Sequence, residues 1–172
     1  MKLKTIAIAA AVLVAAWAPV SAQQPKQQLV VTANNLTAHE EAAAGKTRRD
    51  AAAVPGDVIE YQLVFSNTKD FAMKEVVFQD PVPTGLSYVG SSSKSTREDV
   101  TIEYSIDKGK TWSAQPKIEV VDAQGRKVMK AAPESLYTNI RWRVAGEVAP
   151  GATVQASFRT RVNGPTKPAA KK

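Results

Sequence analysis

No cysteine occurs in the 172 residues. That absence excludes disulfide staples and lipid attachment through a cysteine, so the fold must hold together by burial alone. Histidine occurs once, at His39, which excludes multi-histidine zinc or copper sites within one chain. Aromatic residues make up only 6% of the chain, and no basic platform interleaved with aromatics is present, so nucleic acid is not an expected partner. Beyond residue 22 no hydrophobic run approaches membrane-spanning length, and no transmembrane segment is expected in the mature chain.

What is present begins with a leader. Lys2 and Lys4 form a positive start, Ile6 to Trp17 is a short apolar run, and Val20-Ser21-Ala22 is a small-residue cleavage site. This pattern predicts a secretory signal peptide over 1–22 and therefore export to the periplasm or the cell surface. An N-terminal segment, 23–28, follows. The remaining roughly 150 residues suffice for one domain with one core, and the net charge of +7 falls to about +5 without the leader. No pattern repeats, so one domain is expected rather than an array.

Period-two alternation dominates the chain. Ile59, Tyr61, Leu63 and Phe65 share one face of a strand that starts after the Pro55-Gly56 turn, and Val76 and Phe78 reopen the alternation until Pro81 and Pro83. These two runs read as neighbouring antiparallel strands. Leu29 to Thr32 is a short first strand interrupted at Asn34-Asn35. Leu86 and Tyr88 form a short element, and Ser91 to Ser95 reads as a polar link. Val100 to Ile106 is another strand, 117–130 a hairpin turning at Asp122 to Gly125, and the final alternations are Ile140 to Val144 and Val154 to Val162. Residues 38–53 read as a charged loop insertion: Ala38 to Ala44 before Gly45 has helical tendency, but without a wide apolar face a solvated loop is expected. The tail, 163–172, is basic and aperiodic and reads as disordered. The fold class expected is all-β, an immunoglobulin-like antiparallel β-sandwich of about seven to nine strands over 29–162.

Several residue groups carry chemistry. Arg141, Arg143, Arg159 and Arg161 point outward from two strands joined by the Ala149-Pro150-Gly151 reversal. If that reversal pairs the strands, the four guanidinium groups form one positive stripe able to bind carboxylate or phosphate. The alternative is a solvated face paired with Glu103 or Glu119. An envelope or surface-layer protein, an acidic polymer or a lipid headgroup are the partners this charge suits, with weak help from the lysine tail.

Ser105, Asp107, Gly109, Thr111 and Trp112 fit the Asp-box pattern of glycan-handling proteins. The Asp accepts turn amides, Gly permits positive φ, and Trp packs beneath the hairpin. A glycosidase would also need paired carboxylates or a tyrosine nucleophile in a cleft, so the box reads as a structural turn. His39, with Glu40 and Glu41 or with Met73 or Met129, is the candidate for a weak copper or nickel site, against a solvated histidine on a polar loop. Asp57, Asp70 and Asp80 are candidates for calcium at one end of the sandwich, with Asp57 and Asp80 alternatively satisfying turn amides. No cofactor is implied, and the residues supply no catalytic constellation.

Val54 to Tyr61, Ser66-Asn67, Val77 to Pro83, Gly85 to Val89, Ile140 to Trp142 and Ala149 to Gly151 together resemble the DUF11 domain, a prokaryotic surface-protein repeat. The resemblance spans roughly Leu29 to Val162. It implies an immunoglobulin-like fold, an exported cell-envelope protein with a structural or adhesive role, and no catalytic residues. A single copy without a sorting signal favours a small accessory subunit over a long stalk. The function expected is thus a non-enzymatic interaction module of the bacterial envelope, docking through a sheet edge or the arginine-bearing face. The alternatives are a glycan- or calcium-binding module and a copper-binding redox protein using His39.

Overall fold

The computed structural model describes residues 28–47 and 52–164. The signal peptide, most of the N-terminal segment, part of the charged loop and most of the basic tail lie outside the described residues. The described chain is predominantly β. Its ten strands are β1 (Leu29–Asn35), β2 (Val58–Ser66), β3 (Val77–Pro81), β4 (Leu86–Tyr88), β5 (Lys94–Ser95), β6 (Val100–Ser105), β7 (Lys117–Val121), β8 (Lys127–Ala131), β9 (Asn139–Val144) and β10 (Thr153–Val162). One sheet runs β1-β2-β10-β4, with β5 also on β10; a second runs β3-β9-β6; β7 and β8 form a ribbon of their own. Every pairing is antiparallel.

The first two sheets share one core. Leu63, Phe65, Val154, Ala156 and Phe158 of the first meet Phe78, Ile140, Trp142 and Val144 of the second. Phe65 stacks on Phe78 at 5.8 Å between ring centres, and Phe78 stacks on Trp142 at 5.6 Å. The predicted inward sets of β2, β9 and β10 are therefore the buried ones, as period two requires, except Tyr61 and Val162, which are half-buried. Trp142 is fully buried, and its indole N–H donates to the Lys94 carbonyl at 3.1 Å. That bond ties β5, within the stretch expected as a plain serine-rich link, to the centre of the core.

Two expectations about pairing are corrected. β2 and β3 do not neighbour each other; they belong to different sheets. Asn67 shows why. Its buried amide donates to the carbonyls of Phe71 and Val148, while its Oδ1 accepts from the Lys69 N–H. The chain after β2 is thereby held in a crossing loop rather than a tight hairpin. β9 and β10 are likewise split between the two sheets, so the Pro150-Gly151 reversal is a crossing as well.

The stretch expected as a solvated loop contains helix α1 (Leu36–Ala43), which has no buried residue. Capping sustains it instead. Asn35, an extended residue that ends β1 rather than interrupting it, accepts from the Ala38 N–H at 3.0 Å. At the other end Gly45 adopts φ 73°, and the N–H groups of Gly45 and Lys46 return to the carbonyls of Ala42 and Glu41, which closes the orphan carbonyls of the last turn. Thr37 Oγ1 accepts from the Val58 N–H, and Asn35 Nδ2 donates to the buried Asp57.

Candidate functional site

The four arginines do not form one stripe. β9 lies in the second sheet and β10 in the first, and both strands turn their large apolar residues toward the shared core. Arg141 and Arg143 consequently sit on the outer face of one sheet, Arg159 and Arg161 on the outer face of the other. Each is also engaged. Arg141 Nε donates to Glu103 at 2.7 Å, and its guanidinium lies 4.5 Å above the Trp112 ring. Arg143 reaches the same Glu103 oxygen at 4.0 Å. Arg159 pairs with Glu60 at 3.0 Å, and Arg161 donates to the Gly56 carbonyl at 3.0 Å. The Glu103 partner named from sequence is present; Glu119 instead pairs with Lys127 in the ribbon.

The Asp-box turn forms as its residues predict. Asp107 accepts from the Lys110 and Thr111 N–H groups and from the hydroxyls of Ser105 and Thr111. Ser105 Oγ accepts in turn from the Asp107 and Gly109 N–H groups. Trp112 donates to the Gly109 carbonyl at 3.0 Å. The Thr111 hydroxyl, chief among these donors, holds the Asp107 carboxyl well below the usual range. Ser105, Asp107, Gly109 and Thr111 are consumed by the turn itself, while Trp112 also carries the Arg141 guanidinium over its ring.

The metal candidates do not assemble. Among the described residues no group of three histidine, aspartate or glutamate side chains is placed to hold an ion. His39 is exposed on α1, Met73 bridges to Val148, and Met129 is exposed on β8. Asp57 does accept a turn amide, from Val54 at 3.0 Å. Asp70 is exposed in the loop after β2. The Asp80 carboxyl makes no hydrogen bond to the described residues; it shares the inward face of β3 with Phe78, and burial pushes it up to about 6.

The feature that sequence reading underspecified is the edge formed by β1. The Ser66 N–H donates to the Gln28 carbonyl at 2.7 Å, and bonded and non-bonded pairs alternate along an antiparallel ladder. Val30, Thr32 and Asn34 therefore turn their backbone groups to β2. Val31 and Ala33 turn theirs to the open side. Neither has a partner there among the described residues. Val30 and Val31 are 41% and 42% exposed. β1 contains no charged residue and no proline, the usual devices that blunt an edge. The sequence marked a strand here, but edge position depends on a partner strand about thirty residues away.

No protein-family model matches this chain, and no curated protein matches it. Among the described residues no helix is long and apolar enough to cross a membrane.

Proposed function

We propose that this chain is an exported, non-enzymatic interaction module of the bacterial cell envelope, an accessory subunit of a surface-layer or outer-envelope assembly. It acts by accepting an extended strand of a partner protein along β1. The single observation that carries this reading is the edge itself: seven uncharged residues whose outward backbone groups at Val31 and Ala33 are ready to pair. Main-chain hydrogen bonds supply the affinity, and Val30 and Val31 supply apolar contact. The leader-like start of the sequence supports export. The pairing of a β1-β2-β10-β4 sheet with a β3-β9-β6 sheet over one core supports an immunoglobulin-like sandwich, and with it the resemblance to DUF11 domains.

Val31→Pro tests the reading. The Val31 N–H faces away from β2, so proline removes a donor from the open edge without removing a ladder bond. Wild-type full-length protein should remain with the envelope fraction through washing, and Val31→Pro should shift to the free fraction with its circular dichroism unchanged. Wild-type protein found only free, with no partner after mild cross-linking, overturns the reading. So does a folded Val31→Pro protein that binds as well as wild type.

A further inference from the structure

At the end of the two sheets where the loops 81–86, 106–112 and 133–139 meet lies a groove of about 430 Å³, bordered by Pro83, Thr84, Lys108, Ser135, Tyr137 and Asn139 among others. We propose that this groove is a binding site for an acidic saccharide, a hydroxylated ring bearing a carboxylate. The site is independent of the β1 edge, since none of its residues lies on β1 or β2.

Tyr137 provides a rigid floor. Its ring stacks on Tyr104 at 4.7 Å and on Tyr88 at 5.5 Å, while Tyr88 and Tyr104 are themselves 5.4 Å apart. Tyr137 packs against both neighbours, stays half-buried and lines the groove. The Tyr88 and Tyr104 hydroxyls are 3.3 Å apart, and Tyr88 is anchored to Ser93 at 2.9 Å. The platform cannot swing away without breaking that layer. An aromatic face of this kind suits the apolar C–H face of a sugar ring.

Lys108 provides the charge. Among the described residues it is one of three non-glycine residues at positive φ, at 61°, a conformation that costs a side-chain-bearing residue energy and that clusters at functional sites. The Asp107 clamp holds it there, and its N–H donates to Thr138 Oγ1 at 2.9 Å. Its ammonium has no partner among the described residues, and neither do the Asn139 amide or the Ser135 hydroxyl. Glycine would suit the backbone at 108 better than lysine, so the turn itself does not account for a lysine there. An unpaired cation, an amide and a hydroxyl around a fixed aromatic ring form a small convergent polar set in a concave site of ligand size. Glu134, the acid whose charge reaches Tyr137, folds its carboxylate against Gly90, and it is not part of the groove lining.

Isothermal titration of the full chain at low salt tests the proposal, using trigalacturonate, the neutral galactose trimer and triglutamate. Trigalacturonate should bind, and Lys108→Gly, which relieves the backbone, should weaken it about tenfold or more. Lys110→Ala, on the same turn but outside the groove, should leave binding unchanged. Equal binding of the neutral trimer removes the role of the cation and overturns the proposal. Stronger binding of triglutamate makes the site one for acidic peptide and overturns it as well. Absence of any heat, or undiminished binding by Lys108→Gly, does the same.

Discussion

The β2–β10 ladder and the β7–β8 ribbon are both regular antiparallel pairs, yet they end in opposite environments. Nine residue pairs join β2 to β10, and five join β7 to β8. Leu63, Val154 and Phe158 of the first are fully buried. In the second Val121 is 66% and Met129 61% exposed. The register is unbroken along both, so pairing alone does not decide burial. The difference lies in what faces each pair. The inner face of β2–β10 meets Phe78, Ile140 and Trp142 of another sheet, whereas Val121 and Met129 look into solvent. A two-stranded ribbon is marginal by itself, and this one is seated at its base by Ala132, which is buried and continues the ladder by donating to the Pro116 carbonyl at 2.8 Å.

The largest break in this contrast should come from Trp142→Ala. It removes a fully buried ring that contacts Phe78 and Phe158 and also deletes the bond to Lys94. A loss of about 3–5 kcal/mol is expected, read as a fall in denaturant midpoint. A loss near that of a surface substitution would show that the shared core is not what holds the two sheets.

A smaller and pH-dependent effect is expected at Asp80, which lies at one end of the same core. Its folded-state pKa of about 6 stands above the ordinary aspartate value of 3.8. The folded state therefore binds the proton more tightly, and stability falls as pH rises between about 4 and 6. Asp80→Asn should abolish that fall, raising stability at pH 7 by on the order of 1 kcal/mol once half-exposure is allowed for. Asp107 works in the opposite sense. Its carboxyl is held low by the Thr111 hydroxyl and the turn amides, so its contribution is present at neutral pH and is lost on acidification below the unfolded value. Urea titrations across pH 3–8 should separate the two, and an unchanged slope in Asp80→Asn counts against the burial argument. The smallest effect is expected in the ribbon, where Met129→Ser should stay within about 0.5 kcal/mol. A larger loss would mean that the exposed face of the ribbon is covered in solution.

Much of this fold was legible from periodicity. The inward sets Leu63-Phe65, Ile140-Trp142-Val144 and Val154-Ala156-Phe158 emerge from alternation alone, and the Asp107 turn follows from the donors and acceptors within eight residues. α1 was less legible because its support is not an apolar face. It comes from Asn35, Gly45 and a tether to Val58, about twenty residues along the chain. The candidate sites were least legible. Lys108 could be seen to lie in a turn, but not that Tyr137 and Asn139 stand beside it. Arg141 and Arg159 could be seen to point outward, but not that they point in opposite directions.

The sequence by itself determined which residues of each strand turn inward, where the chain turns, and that no thiol or histidine cluster is available for chemistry. Those properties are local: a period of two, a glycine at positive φ, or an absent residue type needs no distant partner. Only the tertiary structure decided which strands share a sheet, that β1 is an open edge among the described residues, and that the arginines divide between two faces. Strand pairing is settled by which long-range contacts bury the aromatic core at the least cost in loop closure. Here Asn67 and the Pro150-Gly151 turn send the chain across to the other sheet where the sequence read two neighbouring strands.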